Sequence, residues 1–257
     1  MDPELARSLI RMDPNSPPPP SGLVLVDKPA RRAISSVTVC RAVKRKLAAG
    51  GVVDPKRKRS IAVGHAGTLD PLASGLLIVL VGRATRLCEG LMHGEKTYVT
   101  DIDLLHSSLT DDLEGDLIPN QIDSPPDRAT IERIIATKFI GVIQQKPPAF
   151  SAIRVDGKRA YDLARKGKAP VMKERPITIH RIDVLAYEFP TLTIEVLCGR
   201  GTYIRSLARD IGVAVTGHPA VLTALRRTSI GPYRVEDAMG LEQMPDRLTA
   251  ADLRVPT

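Results

Sequence analysis

Tryptophan is absent from this chain of 257 residues, and aromatic residues as a whole make up only 3% of it. Any surface that stacks on planar rings must therefore use a few of the five tyrosines and three phenylalanines. Cysteine is also scarce: Cys40, Cys88 and Cys198 lie far apart, which indicates reduced thiols and excludes a disulfide framework or a zinc-knuckle spacing. No run of about 18 uncharged apolar residues occurs, so we expect no membrane-spanning helix.

What the chain does contain is an ordinary globular composition with an excess of positive charge. Apolar residues make up 43% and charged residues 26%, which excludes a wholly disordered, collagen-like or coiled-coil chain. The net charge is +8 and the pI is near 9.6. This charge is segregated, since residues 41–59 carry +7, residues 154–181 carry +6 and residues 100–132 carry −8. The pattern predicts a polyanionic partner, nucleic acid first, with merely solvated charged faces as the alternative.

The alternation of apolar and polar residues predicts an α+β fold without regular βαβ repeats. Residues 1–21, with four consecutive prolines, should form a disordered or extended lead-in before order begins at Gly22. A helix should follow a cap at Ser35 or Ser36 and end at Gly50. The expected strands cover residues 23–26, 61–63, 96–104, 177–187 and 192–198, and further helices cover residues 84–92, 127–139, 204–215 and 220–227.

The densest group of chemically specialised residues is the segment 64–71. Two glycines and a proline within these residues indicate a tightly specified loop. The rigid backbone of such a loop fixes the positions of His65 and Asp70, as a catalytic carboxylate requires. The competing interpretation is structural, with Asp70 as the cap of a helix whose first residue is Pro71.

Further motifs follow the same order as those of a known family. They are Leu-Val-Leu-Val-Asp-Lys-Pro at 23–29, Gly-His-Ala-Gly-Thr-Leu-Asp-Pro at 64–71, Lys-Thr-Tyr at 96–98, Asp-Asp-Leu-Glu-Gly at 111–115, Gln-Lys-Pro-Pro-Ala-Phe-Ser-Ala at 145–152, Gly-Thr-Tyr-Ile-Arg-Ser-Leu at 201–207 and Leu-Arg-Arg-Thr-Ser-Ile-Gly at 225–231. From about Gly22 to Tyr233 the chain resembles the TruB family of tRNA pseudouridine synthases. It departs from the family pattern at residues 30–36 and 104–110, which bears on the local backbone.

The resemblance implies a pseudouridine synthase fold, with a mixed, mostly antiparallel central sheet flanked by helices. It makes Asp70 the catalytic aspartate, Arg205 its partner and Tyr98 the active-site tyrosine, and Asp112 matches an aspartate of the family motif. The carboxylate would add either to C6 of the uracil or to C1′ of the ribose. Neither an external group nor a redox change is involved, so no cofactor and no metal are expected.

The resemblance also implies an RNA-gripping, thumb-like insertion at about residues 145–172. Base flipping would bring the target uridine to Tyr98, and basic residues would bind phosphates. His65 would fill the gap left by the flipped base or contact the loop, with a purely structural histidine as the alternative. Lys28 would touch the RNA backbone or brace the site. The other residues expected to bind RNA or support the site are Arg154, Lys158, Arg159, Tyr161, Arg165, Tyr203 and Arg226, and the basic run 56–59 could extend their surface.

The sequence therefore predicts a catalytic domain over residues 22–239 and a short tail over residues 240–257, with no C-terminal RNA-binding PUA domain. The expected activity is the isomerisation of uridine 55 in the T arm of tRNA. The enzyme should be a cytoplasmic monomer that needs neither a protein partner nor a membrane. The alternatives are a non-catalytic tRNA-binding or tRNA-folding protein and a guide-RNA-dependent synthase.

Overall fold

The folded part of the chain is built around one extended sheet. A computed structural model describes residues 20–31, 33–52, 61–151, 153–155, 157–164, 167–168 and 170–256. The expected lead-in therefore lies almost wholly outside the described residues, as does the basic run 56–59. No helix in the described ranges is both long and apolar enough to cross a membrane.

Fourteen strands lie within these ranges. They are β1 (Gly22–Lys28), β2 (Val63–His65), β3 (Ser74–Val81), β4 (Lys96–Asp103), β5 (His106–Ser107), β6 (Ile118–Pro119), β7 (Gly141–Gln145), β8 (Arg154–Val155), β9 (Lys158–Arg159), β10 (Arg175–Glu188), β11 (Thr191–Cys198), β12 (Val221–Ile230), β13 (Tyr233–Arg234) and β14 (Met239–Gly240). The expected strands over residues 23–26, 96–104, 177–187 and 192–198 are confirmed.

The α-helices are α1 (Ser36–Ala49), α2 (Cys88–His93), α3 (Arg128–Lys138), α4 (Ala160–Ala164) and α5 (Ile204–Thr216), within the described residues. Ser35, not Ser36, caps α1, since its side chain accepts from the Thr38 amide at 3.1 Å. Asp127 caps α3 in the same way. A 3₁₀ segment (Gly82–Leu87) runs directly into α2 where a single helix was expected.

Ten strands pair into the main sheet. Its order is β14-β1-β3-β12-β4-β11-β10-β7, with β2 added beside β3 and β13 beside β12. The β1–β14 and β3–β12 pairs are parallel and the others antiparallel, so the predicted mixed, mostly antiparallel α+β fold is confirmed.

Both faces of the sheet are covered. Val39 and Leu47 of α1, Ile131 of α3 and Leu207 of α5 pack in one apolar cluster, so these three helices share one face. Leu76 and other residues of β3 that alternate with it pack on the opposite face beneath the 82–93 segment. β1 and β3 are therefore buried on both faces, which explains their nearly continuous apolar sequence.

The expected helix over residues 220–227 is wrong, because these residues belong to β12. Leucine, alanine and arginine favour helices, and this preference produced the prediction. In the fold, β12 lies between β3 and β4 and bonds to both strands. Two partner strands and a buried face that carries Leu225, Arg227 and Ser229 outweigh a preference of a few tenths of a kcal/mol per residue.

Two further segments complete the fold: the connection between β7 and β10, and the residues that follow β14. Residues 146–174 connect the paired strands β7 and β10, and they contain the β8–β9 hairpin and α4, where the thumb-like insertion was expected. Residues 240–256 pack back on the body: Met244 and Leu248 are buried in the core, and Arg254 exchanges backbone hydrogen bonds with Leu23.

Candidate active site

A cleft of about 290 Å³ opens beside the centre of the sheet. Four segments that are distant in sequence line it: the 67–70 loop, the start of β4, residues 199–205 before and within α5, and the middle of β12. The sheet order explains this meeting, because β12 lies between β3, which follows the loop, and β4. The cleft is the place where the sequence motifs converge.

The loop that carries Asp70 is fixed from two sides. Ser36, at the start of α1, bonds to both the amide and the carbonyl of Leu69, at 2.9 and 3.2 Å. The Lys28 ammonium donates to the carbonyls of Pro29, Pro71 and Ala73. A turn and then β3 follow Asp70, so the alternative of a helix cap at this residue is wrong.

Lys28 has no exposed surface, so its position fits bracing of the loop and leaves no face for RNA. Burial lowers the pKa of Lys28 to about 8, with the Asp70 carboxylate acting in the opposite direction. Three carbonyl acceptors complete the bonding capacity of the ammonium group. Of the two roles expected for Lys28, the geometry supports the structural one.

Arg205 contacts Asp70 from the first turn of α5. Its Nε lies 3.0 Å from Asp70 Oδ2, an ion pair rather than a well-aligned hydrogen bond. Nη1 donates to the Thr110 carbonyl and Nη2 to the Phe150 carbonyl, both at 3.0 Å. Arg205 is 6% exposed, whereas the Asp70 side chain is 35% exposed and faces the cleft.

Asp112 holds the other side of the guanidinium. Its Oδ2 lies 3.4 Å from Arg205 Nη1, while its Oδ1 accepts from the Thr110 hydroxyl and the Glu114 amide. Asp112 is fully buried, so its charge is compensated by these contacts rather than by water. The three residues thus form a chain of charges from the protein interior to the cleft.

Tyr98 of β4 lines the cleft and is almost fully buried. Burial raises the pKa of the Tyr98 phenol, with the charge and hydrogen bond of Arg227 opposing the shift. Arg227 is itself buried and donates to the carbonyls of Leu76 and Gly67. It links β3, the loop that carries Asp70, and Tyr98.

Sequence reasoning chose Arg226 of the Arg-Arg pair, and the structure separates the two side chains. Arg226 makes a double contact with Asp27, at 3.1 and 2.8 Å, and is absent from the cleft lining, whereas Arg227 lines the cleft. Strand alternation would have placed Leu225 and Arg227 on one face. That signal was lost because the segment was expected to be helical.

His65 lies on β2, pairs with Val79 and does not line the cleft. Burial and the charge of Arg227 lower its pKa. Its Nδ1 is buried and makes no hydrogen bond within the described part of the chain. His65 is therefore paired with β3 and lies outside the cleft.

Tyr203 lines the cleft and is the N-cap residue of α5. Its amide and carbonyl both bond to the Gln145 side chain, and the Arg175 guanidinium lies 5.2 Å from its ring centre. Arg175 also donates to the Gly201 carbonyl. Arg175, like Lys96, enters the cleft without having been singled out from the sequence.

The remaining predicted residues belong to the 146–174 connection. Arg154, Lys158 and Arg159 lie on the β8–β9 hairpin, where the structure describes only the backbone, and Arg165 lies outside the described residues. Tyr161, in α4, packs edge to face against Phe150 with 6.1 Å between ring centres. The predicted RNA grip of this segment stays a prediction.

Curated proteins resemble this chain over most of its length. The tRNA pseudouridine synthase B of Corynebacterium efficiens is 43% identical over 238 residues, which cover 90% of this chain and 74% of that protein. The enzyme of the same name from Thermobifida fusca is 42% identical over 243 residues, covering 90% and 77%. The one from Phocaeicola vulgatus is 42% identical over 195 residues, covering 76% and 82%.

Solved structures and a family model agree with these sequence similarities. A chain in the crystal structure of a Cbf5-Nop10-Gar1 complex matches with a TM-score of 0.62 and 27% identity over 90% of this chain. This chain spans 59% of the length of that one. The model of the TruB family pseudouridylate synthase N-terminal domain matches residues 56–204. The chain therefore belongs to the TruB family of pseudouridylate synthases, and the cleft around Asp70 is its candidate active site.

Proposed function

We propose that this pseudouridine synthase isomerises uridine 55 in the T loop of tRNA. It acts as a cytoplasmic monomer without a cofactor, a guide RNA or a protein partner. The curated relatives are named tRNA pseudouridine synthases, which supports tRNA as the substrate. The observation that carries the proposal is the contact between Asp70 and Arg205 in a cleft that Tyr98 also lines.

The reaction relocates one bond and leaves the atomic composition of the nucleoside unchanged. The bond between C1′ and N1 breaks, the base turns, C1′ bonds to C5, the C5 proton leaves and N1 gains a proton. In this proposal the Asp70 carboxylate adds to C6 of the uracil or to C1′ of the ribose and is expelled later. Either course needs a carboxylate that reaches the cleft, and the partial exposure of Asp70 satisfies this.

Arg205 offsets the charge of the Asp70 carboxylate and fixes its direction. A guanidinium is protonated at every working pH and presents several N–H groups in one plane. Asp112 and the carbonyls of Thr110 and Phe150 occupy the groups that do not face Asp70. Arg205 is therefore already in place before a substrate enters, which avoids a cost of reorganisation during the reaction.

Tyr98 supplies a ring for a base that has left its stack. Stacking on an aromatic side chain contributes about 1–3 kcal/mol per base. Because burial raises the pKa of Tyr98, its phenol is protonated at neutral pH. This favours stacking over service as a free phenolate that takes the C5 proton.

The cleft has the electrostatics of a polyanion site. Asp70 is the single carboxylate among its described lining residues, whereas the cationic side chains there are Lys96, Arg175, Arg200, Arg205 and Arg227. Lys96, Arg205 and Arg227 are buried and bonded to carbonyls of the protein. Arg175 and Arg200 are the cationic lining residues that reach the surface, where they would attract phosphates of a splayed loop and so set affinity and register. The distribution therefore supports RNA rather than a small neutral nucleoside as the substrate.

The test is modification of a T-arm stem-loop transcript by the purified protein alone. We expect pseudouridine at the position of uridine 55, mapped by carbodiimide-blocked primer extension. Asp70→Asn should lower the rate at least about 10³-fold because the nucleophile is lost, while RNA affinity stays within about twofold. Asp183→Asn, which removes an exposed carboxylate paired with Arg181, is the matched control and should retain the wild-type rate.

Each alternative predicts another result in the same assay. A non-catalytic tRNA-binding protein would bind the transcript and modify nothing. A guide-dependent synthase would become active only when a complementary guide RNA is added. Pseudouridine formation by Asp70→Asn would refute the role of Asp70 while keeping the enzyme class.

A further inference from the structure

A second, partly buried arginine–aspartate pair lies one helical turn after the pair of Arg205 and Asp112. Asp111 Oδ2 accepts from Arg209 Nη1 at 2.9 Å, and Arg209 follows Arg205 by four residues on α5. Asp111 directly precedes Asp112 in the acidic loop, the name used here for residues 108–115. The two pairs therefore join the same loop to the same helix face.

Both arginines also donate hydrogen bonds to backbone carbonyls of one other segment, residues 146–150. Arg205 donates to the Phe150 carbonyl and Arg209 to the Lys146 carbonyl, each at 3.0 Å. Residues 146–150 lead from β7 into the thumb-like connection. The acidic loop, α5 and the root of this connection are thus tied together twice, once through Arg205 and once through Arg209.

Asp111 combines an unfavourable backbone conformation with a buried carboxyl group. Its φ is +60°, which makes it the one non-glycine residue with positive φ in the described ranges, and its side chain is buried. Burial raises the pKa of Asp111 to about 6, against the opposing charges of Arg209 and Arg205. Asparagine tolerates the left-handed region and has the same shape, so it can replace Asp111 without a backbone change.

We propose that the Asp111–Arg209 pair is a positioning device that holds the acidic loop and the root of the thumb-like connection in the register in which Arg205 meets Asp70. Asp111 lies between Thr110 and Asp112, both of which contact the Arg205 guanidinium, so loss of its side chain removes one of the contacts that hold these two partners in place. Neither Asp111 nor Arg209 lines the candidate active site, so neither touches the substrate base. This inference rests on the proposed function of the Asp70 cleft.

The pair should make catalysis depend on pH near 6. The charged groups around it are Arg205, Lys138 of α3, Lys146 after β7, Glu174 before β10 and Asp210 of α5. Arg209 also bonds to Asp210, whose pKa burial raises as well. Protonation of Asp111 removes one of the two carboxylate charges that Arg209 faces, and it is the one that ties α5 to the acidic loop, so activity should rise as the pH increases through about 6.

The first experiment is a double-mutant cycle on the single-turnover rate at pH 7.5, measured by tritium release from T-arm RNA labelled at C5. We expect Asp111→Asn and Arg209→Met each to lower the rate about tenfold, and the double variant to lose little more than either one. RNA affinity should stay within about twofold in all three. The proposal would be overturned if the rate loss of the double variant equalled the product of the two single losses. It would also be overturned if the single variants kept the wild-type rate.

The second experiment separates positioning from general stability. Between pH 5 and 8 the wild-type rate should show a rising limb near pH 6 that is absent in Asp111→Asn. Asp183 is an exposed aspartate in an ion pair with Arg181. The control variant Asp183→Asn should therefore keep the wild-type rate and its rise near pH 6. An unchanged limb in Asp111→Asn overturns the inference alone, whereas a wild-type protein that releases no tritium overturns the proposed function.

Discussion

Lys28 shows how much of a catalytic loop can depend on one buried amine. Its ammonium group donates to three carbonyls, two of which belong to residues directly after Asp70. Pro71 has no amide of its own, and the Ala73 amide donates to the Asp70 carbonyl. The direction of the Asp70 side chain therefore depends on a residue that is distant in sequence and does not reach the cleft.

Replacing Lys28 by methionine should lower the free energy of unfolding by about 2–4 kcal/mol at pH 7, because three buried carbonyls lose their donor. Methionine is similar in length, so the loss reflects hydrogen bonds more than a cavity. Urea unfolding followed by circular dichroism measures it. Lys138→Met, at an exposed position of α3, should change the value by less than about 0.5 kcal/mol.

The pH dependence of this loss has a definite sign. The folded-state pKa of Lys28 is about 8 and its ordinary value is 10.5, so the unfolded chain binds more protons between these limits. The contribution of Lys28 to stability therefore increases as the pH rises from 8 towards 10.5. The advantage of the wild type over Lys28→Met should widen across this interval, and a narrowing advantage would contradict a buried amine.

Single residues also mark where sequence reasoning reached its limit. The positions of Asp70, Tyr98 and Arg205 followed from motifs, and the structure brings all three to one cleft. Arg227 did not follow, because its role depends on which face of β12 it occupies. A residue type reveals its charge, whereas its direction depends on the element that carries it.

At the scale of elements, most boundaries could be predicted because local signals agreed with the fold. Asp127 begins α3 and Gly217 ends α5, as capping chemistry requires. In β12 the signals disagree, since its residues favour a helix and its neighbours β3 and β4 need a partner strand. Pairing between segments far apart in sequence cannot be inferred from one window of the sequence.

The contact between β3 and β12 offers a direct test of this packing. Gly75 has a φ of +99°, and a Cβ added there would lie 2.2 Å from the Arg227 carbonyl oxygen. Gly75→Ala should therefore lower the free energy of unfolding by at least about 3 kcal/mol, because backbone atoms must separate. Thermal and urea unfolding measure the change.

Gly64→Ala is the matched control for this substitution. A Cβ at Gly64 meets no described atom within 4 Å, and its φ is not positive. Its stability should stay within about 0.5 kcal/mol of the wild type. Equal effects of the two substitutions would show that β3 and β12 do not approach as closely as described.

At the scale of the whole molecule, the sequence predicted the catalytic body better than its edges. Residues 240–257 were expected to form a short tail after the catalytic domain. In the structure, Lys46 of α1 bonds to the Met244 carbonyl and accepts the Leu248 amide at its own carbonyl. Two buried side chains and backbone hydrogen bonds to distant residues attach this segment, and such contacts cannot be inferred from composition alone.

Leu248→Ala tests whether this segment is part of the folding unit. Leu248 is completely buried in the main core, so the variant should lose about 2–5 kcal/mol of unfolding free energy. Val255→Ala, at a position that is 82% exposed, should change it by less than about 0.5 kcal/mol. A single cooperative transition with a lower midpoint would join residues 240–256 to the catalytic body, whereas wild-type stability of Leu248→Ala would make them a dispensable tail.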